Sequence, residues 1–286
     1  VTRPGFSNTV GKIILRIVGT LVGAITAYII LFFFLGQSHI IIALYFLVLI
    51  VPGYISLQKN IFSYAGVATS LTLTLVIATS IVSGNVFQTM SDRVIEVLIG
   101  VLCVSIVTVL LECFFPKKGA EGESLSVKFR QAYSELVQWG NCGSQLKAAI
   151  LIAGVASLVF APWLYWQYPG GFWAVISCFF IMEESFVNAQ RKGWFRFLSH
   201  AVAAAVGGIS VILIAGHTVL LAIPLVLGFF VFGYLMAGKS ALSASGNTMG
   251  IALAVMLLAN INAQSGLDVV AARFFNVIGG IAVGLC

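Results

Sequence analysis

Apolar stretches recur along the whole chain, separated by short polar joints, and ten of them can be marked. They run over 12–36, 38–56, 61–84, 93–115, 147–168, 171–186, 194–215, 217–237, 241–262 and 269–286. Most approach the twenty residues that a helix needs to cross a bilayer core. Tight joints stand between them: Gly36-Gln-Ser-His39, its echo Gly216-His217, and Gln58-Lys59-Asn60 with its echo at Lys239. Only Pro116 to Gln145 is long and polar. The pattern predicts an all-α, polytopic helical membrane protein.

The pattern is also written twice. A shift of 180 residues, without a gap, carries Lys12 onto Lys192, Arg16 onto Arg196, Lys59 onto Lys239 and Arg93 onto Arg273. The same shift matches Gly36, Gly53-Tyr54, Gly66 and Gly100 to Gly216, Gly233-Tyr234, Gly246 and Gly280. With 15 Lys and Arg in 286 residues, a single such match has odds of about one in twenty, so four together indicate a duplicated unit. This divides the chain into a first transmembrane repeat (1–115), a short cytoplasmic linker (116–146) and a second repeat (147–286). The two segments between Lys147 and Ser185 have no counterpart in the first copy; theirs would lie before Val1. The complete unit is therefore expected to hold six helices, with the present chain N-terminally truncated and ending inside a helix at Cys286.

Composition narrows the class. The chain is 60% apolar and 8% charged, with 22 Phe, whereas soluble domains carry roughly 25% charged residues. The formal charge of +6 therefore reports orientation rather than nucleic-acid affinity. With the linker in the cytoplasm, only Arg93 and Arg273 among the basic residues fall on the outer side, and Lys59, Lys128 and Lys239 face inward. Asn85 and Gln264 face outward, and the aromatic tract Trp163 to Trp173 lands at the outer interface. An even helix number per unit makes the copies parallel repeats, related by an axis along the membrane normal. The five cysteines show no metal or disulfide spacing, and no signal peptide is expected before the first helix.

Several residues could carry chemistry. Arg16 and Arg196 each lie about a turn inside a helix, where they either snorkel to headgroups or clamp a carboxylate from the inter-repeat space. His200, four residues after Arg196 on the same face, is a packing residue or a proton carrier. Glu96 either pairs with Arg93 at i,i+3 or is a protonatable carboxylate near the outer mouth. Arg93 and Arg273 either pair locally or bind an anion, and Arg273 is the freer because Asn276 stands where Glu96 does. Glu112, Glu183 and Glu184 read as solvated helix ends. Gly19-xxx-Gly23, Gly66-xxx-Ser70, Gly246-xxx-Gly250 and Gly280-xxx-Gly284 read as close-packing seams, and Pro52 as a break near the end of its helix. No phosphate loop, nucleophile elbow or metal spacing occurs, so neither enzymatic activity nor ATP-driven action is expected, and no metal or cofactor.

The chain resembles the fusaric-acid-resistance family of bacterial inner-membrane proteins, which includes aromatic acid exporters. The resemblance rests on Lys12-xxx-Arg16 with the small-residue helix Leu15 to Ala24, on Arg93-xx-Glu96-xxx-Gly100 running to Phe115-Pro116-Lys117, and on Phe172-Trp173-Ala174. It differs in its linker, about thirty residues where such exporters carry a large cytoplasmic domain, and in Asn276 opposite Glu96. It implies a secondary active, proton-coupled exporter of organic anions such as aromatic carboxylic acids. Substrate would be held by Arg16, Arg196, Arg93 and Arg273, with Glu96 and His200 carrying protons. The expected partners are small organic anions, the lipid bilayer and, for an exporter, a periplasmic adaptor protein; no nucleic acid is expected. Two other classes fit the same residues: a passive anion channel resembling malate channels, and a non-transporting membrane scaffold.

Overall fold

Apolar runs that cannot leave backbone groups unpaired in lipid must close their hydrogen bonds internally, which selects helices. The computed structural model describes residues 6–58, 60–114, 130, 142–181, 185–214, 217–238, 243–263 and 267–285. Among them are ten α-helices: α1 (Phe6–Phe34), α2 (Ser38–Leu57), α3 (Ser63–Ser83), α4 (Val86–Phe114), α5 (Cys142–Trp166), α6 (Phe172–Ile181), α7 (Phe186–Leu213), α8 (Ala222–Ala237), α9 (Ser243–Ala263) and α10 (Leu267–Leu285). No strand occurs among the described residues. Seven helices, α1 to α5, α7 and α10, are long and apolar enough to cross a membrane; α6, α8 and part of α9 are shorter apolar helices.

The ends of these helices follow local chemistry that hydropathy alone does not report. The expected segment 93–115 begins seven residues earlier, at Val86. Asn85 Oδ1 accepts the Gln88 N–H at 3.1 Å, the side-chain cap that starts a helix. Gly84, at φ 71°, closes α3 just before it through an N–H to the Ser80 carbonyl, a left-handed position that suits glycine. The expected segment 217–237 starts its α-helix only at Ala222, after a 3-10 turn at Thr218–Leu221. Pro224 sits in the first turn, where its missing N–H costs nothing. Pro52 does not break α2, which runs through it to Leu57.

The chain divides into two compact units, residues 2–157 and 158–286. In the first, α1 packs along α3 through its small residues. A Cβ on Gly19 or Gly23 would sit 2.7 or 2.6 Å from the carbonyls of Ala65 and Thr69. Leu15, Ala24, Ala27 and Leu31 are buried in this unit with Leu73, Val76 and Ile77. α3 also meets α2, where Gly66 abuts the Pro52 carbonyl and Tyr45 shares a buried 2.7 Å hydrogen bond with Thr74. The hydroxyls of Thr69, Ser70, Thr74 and Thr79 each donate to the carbonyl four residues back, so α3 brings no unpaired hydroxyl from these residues into its packing.

In the second unit α7 packs along α9, with Ser199 Oγ donating to the Ser245 carbonyl. α9 meets α8 where Gly246 abuts the Phe232 carbonyl. α10 lies against both α7 and α6, and Gly280 and Gly284 leave no room for a Cβ beside Ala174 and Ile181. Between apolar helices in lipid there is little hydrophobic drive, so such backbone approach is what holds a pair together. Many large apolar side chains point outward, among them Phe33, Val51, Phe230 and Tyr234, as a lipid-facing surface requires.

Candidate functional site

The second unit brings three of the predicted residues to its packed interior, His200 and Arg273 buried and Arg196 partly buried. Arg196 lies about three turns into α7, not one, because the helix begins at Phe186. Its guanidinium stands 4.8 Å from the centre of the Phe180 ring of α6. His200 follows one turn later on the same face and is only 2% exposed. Its Nδ1 lies 2.9 Å from the Arg196 carbonyl; a carbonyl can only accept, so Nδ1 carries the hydrogen and Nε2 remains an acceptor. Arg273 reaches in from α10 and is 4% exposed, its guanidinium 3.6 Å from the centre of the Trp173 ring. Both arginines thus lie over rings of α6, Arg196 over Phe180 and Arg273 over Trp173.

What the cluster lacks decides its chemistry. Nε of Arg196 and Nε and Nη1 of Arg273 are buried with no hydrogen-bond partner, and among the described residues neither arginine has a carboxylate within ion-pair distance. Removing a guanidinium from water costs several kcal/mol, and an aromatic face returns about 2 kcal/mol when desolvated. Guanidiniums so placed leave a positive potential and free N–H donors, the arrangement that a carboxylate satisfies with charge-assisted hydrogen bonds. A cavity of about 290 Å³ lies beside it, lined by Pro169, Gly170, Trp173, Val255, Asp268 and Arg273. The turn carrying Pro169 and Gly170 is held by two side-chain hydrogen bonds to adjacent carbonyls. Trp163 Nε1 donates to the Tyr168 carbonyl at 3.2 Å and Asn276 Nδ2 to the Pro169 carbonyl at 2.9 Å. Burial raises the pKa of the Tyr168 phenol in this turn.

The first unit disposes the matching residues differently. Arg93 lies about two turns inside α4 rather than at its outer end, a consequence of the earlier helix start. It forms an i,i+3 ion pair with Glu96, and both side chains remain accessible, at 34% and 61%. Arg16 donates to the Tyr64 hydroxyl at 3.4 Å. A groove of about 590 Å³ runs past Lys12, Arg16, Tyr64, Arg93, Glu96 and Gly100. At the position matching His200 stands Thr20, buried with its hydroxyl unpartnered.

The predicted residues thus fall into two groups: Arg196, His200 and Arg273 around α6 in the second unit, and Arg16, Arg93 and Glu96 along one open groove in the first. The local pairing anticipated for Arg93 is present, whereas Arg273 takes an aromatic partner that the spacing of charges does not reveal. Trp173 and Phe180 are the functional neighbours that sequence reasoning missed as such; the aromatic-rich run ahead of α7 was the available sign. Glu183 and Glu184 lie outside the described residues, as does the side chain of Glu112. Among the described residues no group of His, Cys, Asp and Glu could hold a metal.

Ten apolar helices among the described residues, seven of them of membrane-crossing length, define a multi-pass membrane protein. The family model described as fusaric acid resistance protein-like matches residues 1–107 and 149–286. The chain belongs to that family. No curated protein and no solved structure matches it.

Proposed function

We propose that the protein is a secondary active exporter of organic anions, with aromatic carboxylates the favoured class, working in a bacterial inner membrane and driven by protons. The observation that carries this reading is the pair of cations over α6, Arg273 buried and Arg196 partly buried, with buried N–H groups that find neither a hydrogen-bond partner nor an ion pair among the described residues. A carboxylate entering the cluster would supply the missing acceptors, and the faces of Trp173 and Phe180 suit an aromatic ring next to it. An anion at the arginines would also favour a proton on the adjacent His200, tying proton uptake to substrate occupancy.

Matching contacts support a role for the two repeats. Gly66 abuts Pro52 and Ser56 as Gly246 abuts Phe232 and Met236, each pair displaced by 180 residues. Gly19 approaches Ala65 where Ser199 bonds Ser245. Alternate exposure of a site through rocking of such repeats is the expected transport cycle.

Flux measurements in proteoliposomes test the reading. A pH gradient should drive accumulation of a radiolabelled aromatic carboxylate, and His200→Ala or Glu96→Gln should uncouple it without loss of insertion. Flux that ignores the pH gradient would make the protein a passive channel. Absence of flux under all gradients would make it a scaffold.

A further inference from the structure

The groove of the first unit has the lining of a helix seat. Shifting its residues Lys12, Arg16, Arg93, Val97, Gly100 and Val101 by 180 gives Lys192, Arg196, Arg273, Val277, Gly280 and Ile281. In the second unit this same surface is covered by α6. Gly280 presses against the Ala174 backbone, Val277 and Ile281 pack with Ile181 and Trp173, Arg273 stacks on Trp173, and Arg196 lies over Phe180. In the first unit, by contrast, nothing among the described residues lies within 4 Å of a Cβ placed on Gly100, and no residue of the α4 span is buried. A glycine on an open apolar helix face, with two arginines beside it inside the membrane-crossing stretch, is costly unless something covers it.

We propose that this groove seats a helix of the same chemistry as α6, supplied by a segment of the same polypeptide immediately N-terminal to α1. In the second unit α6 precedes α7 by a connector of only four residues, 182–185, and the same order places the occupant just ahead of α1. It should be apolar and about ten residues long at its packed face. A small residue should stand at Gly100 and aromatic rings over Arg93 and Arg16, by analogy with Ala174, Trp173 and Phe180. The proposal concerns assembly of the first unit and does not depend on what is transported.

Photocross-linking from Val101 tests it. p-Benzoylphenylalanine is placed there in the polypeptide as the cell makes it, in native membranes, and the adduct is mapped by mass spectrometry. The expected product is an intramolecular adduct to an apolar segment upstream of Phe6. An adduct to lipid alone, to residues 116–141, to a second copy or to another protein would overturn the proposal. So would a reading frame with no apolar segment upstream of α1. A second measurement guards against local misfolding in the first. Gly100→Leu should lower the melting midpoint in detergent by about 5 °C, because overpacking a helix seam is destabilising. A lipid-facing Gly100 would instead accept leucine with an unchanged or higher midpoint.

Discussion

Arg273 meets the cost of burial with an indole face where its counterpart Arg93 has a carboxylate three residues on. The difference predicts unequal roles. Arg273→Ala should weaken transport of a carboxylated substrate by about 10-fold or more, the value of a lost charge-assisted hydrogen bond, and Arg93→Ala should weaken it less. Arg273→Lys should restore only part, since an ammonium keeps the charge and loses the planar fork. Initial rates in proteoliposomes check all three; full recovery with lysine would leave the arginine a purely structural cation. The freedom of Arg273 from local acids was legible in the sequence, because Asn276 replaces the carboxylate at i,i+3. Its stacking on Trp173 was not, since that contact joins positions a hundred residues apart and depends on how α6 meets α10.

At the scale of the helix, the glycines divide by what surrounds them. Gly66 and Gly246 touch the backbone of the neighbouring helix, whereas Gly233 has nothing within 4 Å of its would-be Cβ among the described residues. Gly66→Val and Gly246→Val should therefore each cost about 1–3 kcal/mol of stability. Gly233→Ala should be neutral or stabilise by up to about 1 kcal/mol. Denaturation in detergent followed by circular dichroism separates the two outcomes. The seams themselves were visible as small residues four apart. The start of α4 was not: Gln88, Thr89, Ser91, Asp92 and Arg93 interrupt the apolar pattern, so hydropathy points to position 93 while the Asn85 cap begins the helix at Val86. That shift moves Arg93 and Glu96 well inside the helix and puts them on the same groove as Arg16.

For the whole molecule, the all-helical, membrane-spanning character follows from composition and run length alone. The duplication rests on four matched cations, and the matched close approaches at Gly66 and Gly246 are what would be expected of it. Residues 8–106 and 188–286 should accordingly superpose as one four-helix motif in an experimental structure. Single cysteines at Lys59, Lys128 and Lys239, which lie outside the described residues, should label only after the membrane is permeabilised. A cysteine at Asn85 should label from the outside in intact cells, and the reverse pattern would invert the topology. The indole over Arg273 also bears on which anions the site can take. With no ligand present, the guanidinium rests against a π face, which offsets part of its burial cost and leaves Nε and Nη1 for an acceptor that can fill both. Chloride, a single point of charge that cannot fill two parallel N–H donors, gains little by entering. The arginine is thereby predicted to hold a carboxylate more firmly than chloride, and competition between the two anions for the purified protein would measure the difference.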